Sequence, residues 1–242
     1  KWWIEQHPDE MMLFNADAGE WRTASVHSRV WRKAAAENVT AFVKYLEEKY
    51  GDHMLGYHTS GHNTGEWFYN KVWEGKLGGF EPPTLDAFRT YLKAKYKTEE
   101  ALRRAWHSPG ATFDSVRVPT WTQRTRCKAG HFRDPILEQK TIDFFEFQNH
   151  DMATAVEELC EVVKQAAPDK IAVQFYGYPF ELARLPLGLQ TSGHLAMSHL
   201  LKSQHLDIMC SPVSYQNRGP GGGGYFMTTV DSVQMHGKLW LV

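Results

Sequence analysis

Apolar positions along this chain switch between a helical and an extended period, and the switching predicts an α/β fold. Between Val30 and Tyr50 the period is helical. Val39, Phe42, Val43, Leu46 and Tyr50 form the stripe, while Lys44, Glu47, Glu48 and Lys49 lie mostly off it. Gly51 stops that helix, and a strand over 54–59 follows. The strongest helical pattern covers Ile142–Ala167, where Met152, Ala155, Val156, Leu159, Cys160 and Val163 share one face. Cys160 is accordingly expected in the core. Pro168-Asp169 ends the pattern. A strand over 171–176, a helix over 192–203, a strand over 206–210, a short helix over 231–236 and a strand beginning at Lys238 complete the series. Trp2-Trp3-Ile4 reads as the end of an earlier strand, followed by a loop to Glu20.

Strands separated by helices imply parallel pairing through right-handed crossovers. The expected fold class is therefore α/β, a partial (β/α)8 TIM barrel. A doubly wound open sheet is the alternative, but no Gly-x-Gly-x-x-Gly follows any strand. The alternation breaks over 75–135. There Leu85, Phe88, Tyr91, Leu92 and Tyr96 predict one short helix, and Leu102, Ala105 and Trp106 another. Ser108–His131 reads as irregular, with Arg117, Arg124, Arg126 and Lys128 as a solvated basic face. This stretch exceeds an ordinary connection and reads as an excursion inserted into a single domain over 1–242.

Composition narrows the ligand more than the fold. A formal net charge of -1 leaves no basic stripe for nucleic acid or an anionic membrane. No apolar run reaches the ~20 residues of a membrane span. Cys127, Cys160 and Cys210 form no CxxC pair, and the twelve His show no ligand spacing, so neither metal nor cofactor is expected. Nothing in the sequence fixes a compartment, and a homo-oligomer is compatible with it. Gly219–Gly224 lacks the Lys-Ser/Thr of a phosphate loop and reads as a rim loop. The first residue is Lys1, and the last five run Lys-Leu-Trp-Leu-Val, which reads as a fragment cut through structure at both ends.

In a parallel barrel, chemistry belongs to residues that follow the strands. The first complete strand here opens into a polar, glycine-containing loop, His58–Tyr69, that carries one acid, Glu66, before Trp67-Phe68-Tyr69. Glu66 is the candidate catalytic acid. His58, Asn63, Trp67, Gln174, Tyr176 and Tyr215 are candidate substrate contacts, and the strand ends also deliver Thr59, Tyr178, Ser211, Ser214 and Gln216. Amides, hydroxyls and aromatic faces around a single carboxylate suit a neutral polyhydroxylated ligand, that is, a carbohydrate. Glycosidic cleavage requires two carboxylates. Glu181 is a weak second candidate, and Asp207 sits at the wrong end of its strand. Two other readings stay open on these residues: a non-catalytic carbohydrate-binding barrel, and a barrel enzyme for small non-sugar substrates.

The order helix 30–50, Tyr50-Gly51-Asp52-His53, strand 54–59 and Gly65-Glu66-Trp67 resembles the catalytic barrel of glycoside hydrolase family 42. The segment from Phe88 to Trp106, a tyrosine, a short acidic turn, Leu and then Ala-Trp, is similar to the family's helix pair after the acid/base. The resemblance implies a retaining, β-galactosidase-like hydrolase represented from about strand 3 to strand 7. Glu66 would be its acid/base, and the nucleophile glutamate would fall just beyond Val242. On that mapping the chain alone is expected to be inactive. It departs from the family in carrying Gly65 where Asn usually precedes the acid/base, with Asn63 as the nearest amide, and in lacking recognisable metal-binding cysteines.

Overall fold

The computed structural model describes residues 2–14, 23–127 and 132–242; Lys128, counted above in the basic run, lies outside them. Trp2–Ile4 do not end a strand but belong to a short helix, α1 (Trp2–Gln6). Three adjacent apolar residues carry no alternation to hold a strand. The Trp3 ring packs one turn on against His7, centroids 4.7 Å apart.

Helix α2 (Arg29–Tyr50) is capped by Ser28, whose side chain accepts from the Trp31 amide. Its core-facing stripe runs Trp31, Ala35, Val39, Val43 and Leu46, of which Val43 is buried and the others are partly buried. Phe42 and Tyr50, assigned to the stripe from sequence, are exposed instead. Strand β1 (Gly56–His58) follows. Helices α3 (Pro82–Tyr96), α4 (Glu99–Ala105) and α5 (Trp121–Thr125) come next. The last of these lies inside the stretch expected to be irregular. Its start is fixed by a capping box between Thr120 and Gln123.

Helix α6 (Pro135–Ala166) begins seven residues before the expected start, with Pro135 at its first position and Asp134 capping the Ile136 amide. It serves two cores. Phe144 and Phe147 pack with Phe88, Leu92, Leu102, Ala111, Phe113 and Val116 of the 82–118 region. Met152, Ala155, Val156, Leu159, Cys160 and Val163 pack with the sheet and α2. Arg124 is a correction to the solvated basic face. It is buried, donates to the Gly78 carbonyl and Gln148, and lies against the rings of Phe80 and Phe144. Burial lowers its guanidinium to about 9.

Strand β2 (Ile171–Phe175), helix α7 (Pro179–Leu182), helix α8 (Met197–Leu201), strand β3 (Ile208–Cys210), helix α9 (Val230–Met235) and strand β4 (Leu239–Leu241) complete the order. Only 197–201 of the expected helix 192–203 is α-helical, so His194 sits in a loop rather than on a helix face.

The four strands pair in parallel, in the order β1-β2-β3-β4. A doubly wound sheet reverses its strand order at a switch point, whereas sequential order is that of a (β/α) barrel wall. Tyr57, Ala172 and Met209 point into the core shared with α2 and α6. His58, Leu239 and Leu241 occupy the other face and are exposed. Gly56 is required by close approach, because a Cβ there would collide with the Ile171 carbonyl on β2.

Candidate active site

The loop that leaves β1 turns back on itself between Thr59 and Tyr69. His62, Thr64, Gly65 and Trp67 all have positive φ, at 57°, 53°, 82° and 58°. Outside glycine such a conformation is strained by about 1–2 kcal/mol per residue. The surroundings of Trp67 hold it there. Its amide donates to the Gly61 carbonyl at 3.0 Å, and its indole Nε1 donates to Gln174 Oε1 at 2.9 Å and to the Thr59 carbonyl at 3.1 Å. Its ring covers Gly61 so closely that a Cβ at 61 would lie 2.6 Å away. Burying Trp67 turns the preceding side chain, Glu66, outward, and Glu66 is half-buried.

The Glu66 carboxylate meets the end of the next strand. Tyr178, buried three residues past β2, donates its hydroxyl to Glu66 Oε2 at 2.9 Å and lies 3.2 Å from the Glu66 carbonyl. Burial, and then the Glu66 charge, push the Tyr178 hydroxyl far above its ordinary range, so it stays protonated and a donor. His194 contacts the same carbonyl through Nε2 at 3.0 Å, while its Nδ1 accepts from the Gly177 amide at 3.1 Å. Those partners assign the ring proton to Nε2. Burial lowers the His194 imidazole to about 3, against the opposing effect of the Glu66 carbonyl, so it is neutral.

The other residues expected at the site divide by burial. Trp67, Gln174 and Tyr176 are buried, which corrects their reading as substrate contacts. Gln174 bridges Trp67, Thr59 and Cys160 on the helix side of β2, and the Tyr176 hydroxyl donates to the Gly193 carbonyl at 2.6 Å. These three support the site from beneath. His58 is exposed, its ring 5.1 Å from that of Phe175. Tyr215 is exposed and stacks on the Arg218 guanidinium at 4.0 Å. Asn63 lies in the Glu66 loop, where its carbonyl accepts the Glu66 amide at 3.0 Å.

The weak second acid, Glu181, pairs with Arg184 at 3.4 Å. Asp207 precedes β3, accepts the Ala172 amide at 2.8 Å and pairs with Lys164 at 2.6 Å, at the end of the sheet opposite Glu66. Among the described residues no group of three His, Cys, Asp or Glu side chains is arranged to hold a metal ion. No helix among them is long and apolar enough to cross a membrane. His194 is the residue that sequence reasoning passed over. It stands after Ser192-Gly193 without periodicity or motif, and only the fold brings it to Glu66.

Comparison with known proteins is consistent with this arrangement. The family model described as β-galactosidase, glycoside hydrolase family 42, matches residues 1–185. The β-galactosidase LacZ of Lactobacillus acidophilus is 24% identical over 190 residues, which cover 74% of this chain and 26% of that protein. The β-galactosidase BglY of Alicyclobacillus acidocaldarius is 28% identical over 124 residues, covering 50% of this chain and 16% of that protein. The matched segments thus span about a quarter or less of these relatives.

Among solved structures, the catalytic domain of a β-amylase from Paenibacillus polymyxa superposes with a TM-score of 0.68 at 15% identity, covering 99% of this chain and 62% of that one. A β-galactosidase from the psychrophilic Marinomonas ef1 gives 0.62 at 18% identity, covering 91% and 30%. At such identities the likeness concerns the fold.

Proposed function

Because the chain belongs to glycoside hydrolase family 42, the β-galactosidase family, we propose that it supplies the acid/base half of a retaining β-galactosidase, with Glu66 in that role. One observation carries the assignment. Glu66 is presented at the C-terminal end of a parallel strand by a strained loop, with one carboxylate oxygen held by Tyr178 from the adjacent strand. This is the rim on which barrel enzymes place their chemistry.

The reaction then runs in two steps. A nucleophilic carboxylate attacks the anomeric carbon while the Glu66 carboxyl gives its proton to the glycosidic oxygen, and the C–O bond to the leaving group breaks. Glu66, now ionised, takes a proton from water as that water attacks the anomeric carbon and releases the nucleophile. Glu181 and Asp207 are engaged by Arg184 and Lys164; the nucleophile implied by the family resemblance is a glutamate just beyond Val242, at the end of β4. The substrate is a terminal β-galactoside. Residues 1–242 form one domain, a partial barrel, with 75–135 as an excursion inserted within it.

Glu66→Gln keeps the shape and removes the proton. It is expected to lower kcat on an unactivated β-galactoside by about 10²–10⁴-fold, measured as galactose freed from the substrate by the natural full-length protein carrying the substitution. Unchanged turnover would refute the assignment.

A further inference from the structure

We propose that Tyr178 and His194 are positioning residues that hold Glu66 by Oε2 and by its own carbonyl, leaving Oε1 as the oxygen that carries and returns the proton. The inference rests on the acid/base reading of Glu66. The Tyr178 hydroxyl bridges two atoms of that residue, Oε2 at 2.9 Å and the carbonyl oxygen at 3.2 Å, and so fixes the side chain against its own backbone. His194 Nε2 donates to the same carbonyl at 3.0 Å. Among the described residues Glu66 Oε1 has no hydrogen-bond partner.

The clamp is itself anchored at both ends. His194 Nδ1 accepts from the Gly177 amide, in the same β2 tail that carries Tyr178. The imidazole stacks on Tyr176 with centroids 4.4 Å apart, and the Tyr178 ring stands edge-on to it at 4.6 Å. On the other side, the Ser192 carbonyl accepts the Tyr69 amide at 3.1 Å, so 192–194 hold the loop at two points, Glu66 and Tyr69. Gly193 has φ +94°, and a Cβ there would lie 3.2 Å from both Met152 and Tyr69. A donor that remains protonated on Oε2 leaves the transferable proton to the other oxygen. Fixing that oxygen within hydrogen-bond reach of the departing atom is what general acid catalysis requires.

The test uses the natural full-length protein and aryl and alkyl β-galactosides of graded leaving-group basicity. Leaving groups that need a proton report on the acid, whereas 2,4-dinitrophenolate departs without one. Tyr178→Phe is expected to lower kcat/KM by about 10–100-fold on phenyl and alkyl galactosides, and by less than about 3-fold on the dinitrophenyl substrate. A uniform loss across the series, or none, overturns the proposal.

Glu66→Ala distinguishes the two readings. If it shows the selective loss and Tyr178→Phe does not, the positioning role alone fails. If it leaves every rate unchanged, the acid/base reading fails and the proposal falls with it. Should Tyr178→Phe not fold, His194 provides the test. The Gln amide nitrogen in His194→Gln can occupy the Nε2 place and should keep the leaving-group profile, while His194→Ala should show the selective loss. Matching profiles in the two variants overturn the proposal.

Discussion

Trp67 holds a left-handed backbone next to a half-buried acid, and the two facts share one cause. The indole is locked from beneath by Gln174 and Thr59, so the chain must reverse at Gly65-Glu66 and direct the carboxyl away from the core. From the sequence, Glu66 was recognisable as a lone acid between Gly65 and three aromatics. The direction of those aromatics was not, because burial of Trp67 depends on Gln174, 107 positions away. His194 was equally hidden, since its contact with Glu66 spans 128 positions.

The neutral, buried His194 also makes stability depend on pH. Its folded-state value of about 3 lies below the ordinary 6.5. Between those limits the unfolded chain binds a proton that the folded chain excludes, so stability rises with pH across the window. The contribution is complete above about 6.5 and is lost on acidification toward 3. Urea midpoints should fall between pH 7 and pH 4.5; burial lowers His62 to about 3 as well, so His194→Gln should reduce that slope without abolishing it. An equal slope in the two proteins would refute the assignment to His194.

At the scale of elements, long periodic segments were legible and short ones were not. The α6 face from Met152 to Val163 was readable because about three turns repeat one pattern, and each of the residues on that face is buried. Strands of three to five residues gave their position but not their limits, and α8 shrank to Met197–Leu201 because no repeat sustains a longer helix. The second core was foreshadowed by the stripe Leu85, Phe88 and Leu92. That Phe144 and Phe147 of α6 complete it is a tertiary fact. Arg124 misled for the same reason: a basic neighbourhood in sequence becomes an aromatic cage in space. Phe88 is fully buried, with the Phe144 ring edge-on at 5.1 Å. Phe88→Ala should therefore destabilise the fold by about 3–5 kcal/mol, read from urea unfolding. A change within about 0.5 kcal/mol, the range of surface substitutions, would show that α3 does not share this core.

For the molecule as a whole, sequential parallel order is the decisive feature. It places the ends of β1 and β2 side by side, so that the loop bearing Glu66 and the tail bearing Tyr178 meet on one rim. Strand–helix alternation predicted the parallel sheet, the order of the strands excludes the doubly wound alternative, and the family match extends over the residues that build this rim. The account's central claim is that Glu66 is the acid/base. It is tested most directly by giving the Glu66→Ala variant of the natural full-length protein 2,4-dinitrophenyl β-galactoside with and without azide. The leaving group needs no proton, so the first step survives and the second, deprived of its base, stalls. Azide should restore turnover and yield β-galactosyl azide with retained configuration. Undiminished hydrolysis without azide, or no rescue and no azide adduct, would contradict the claim.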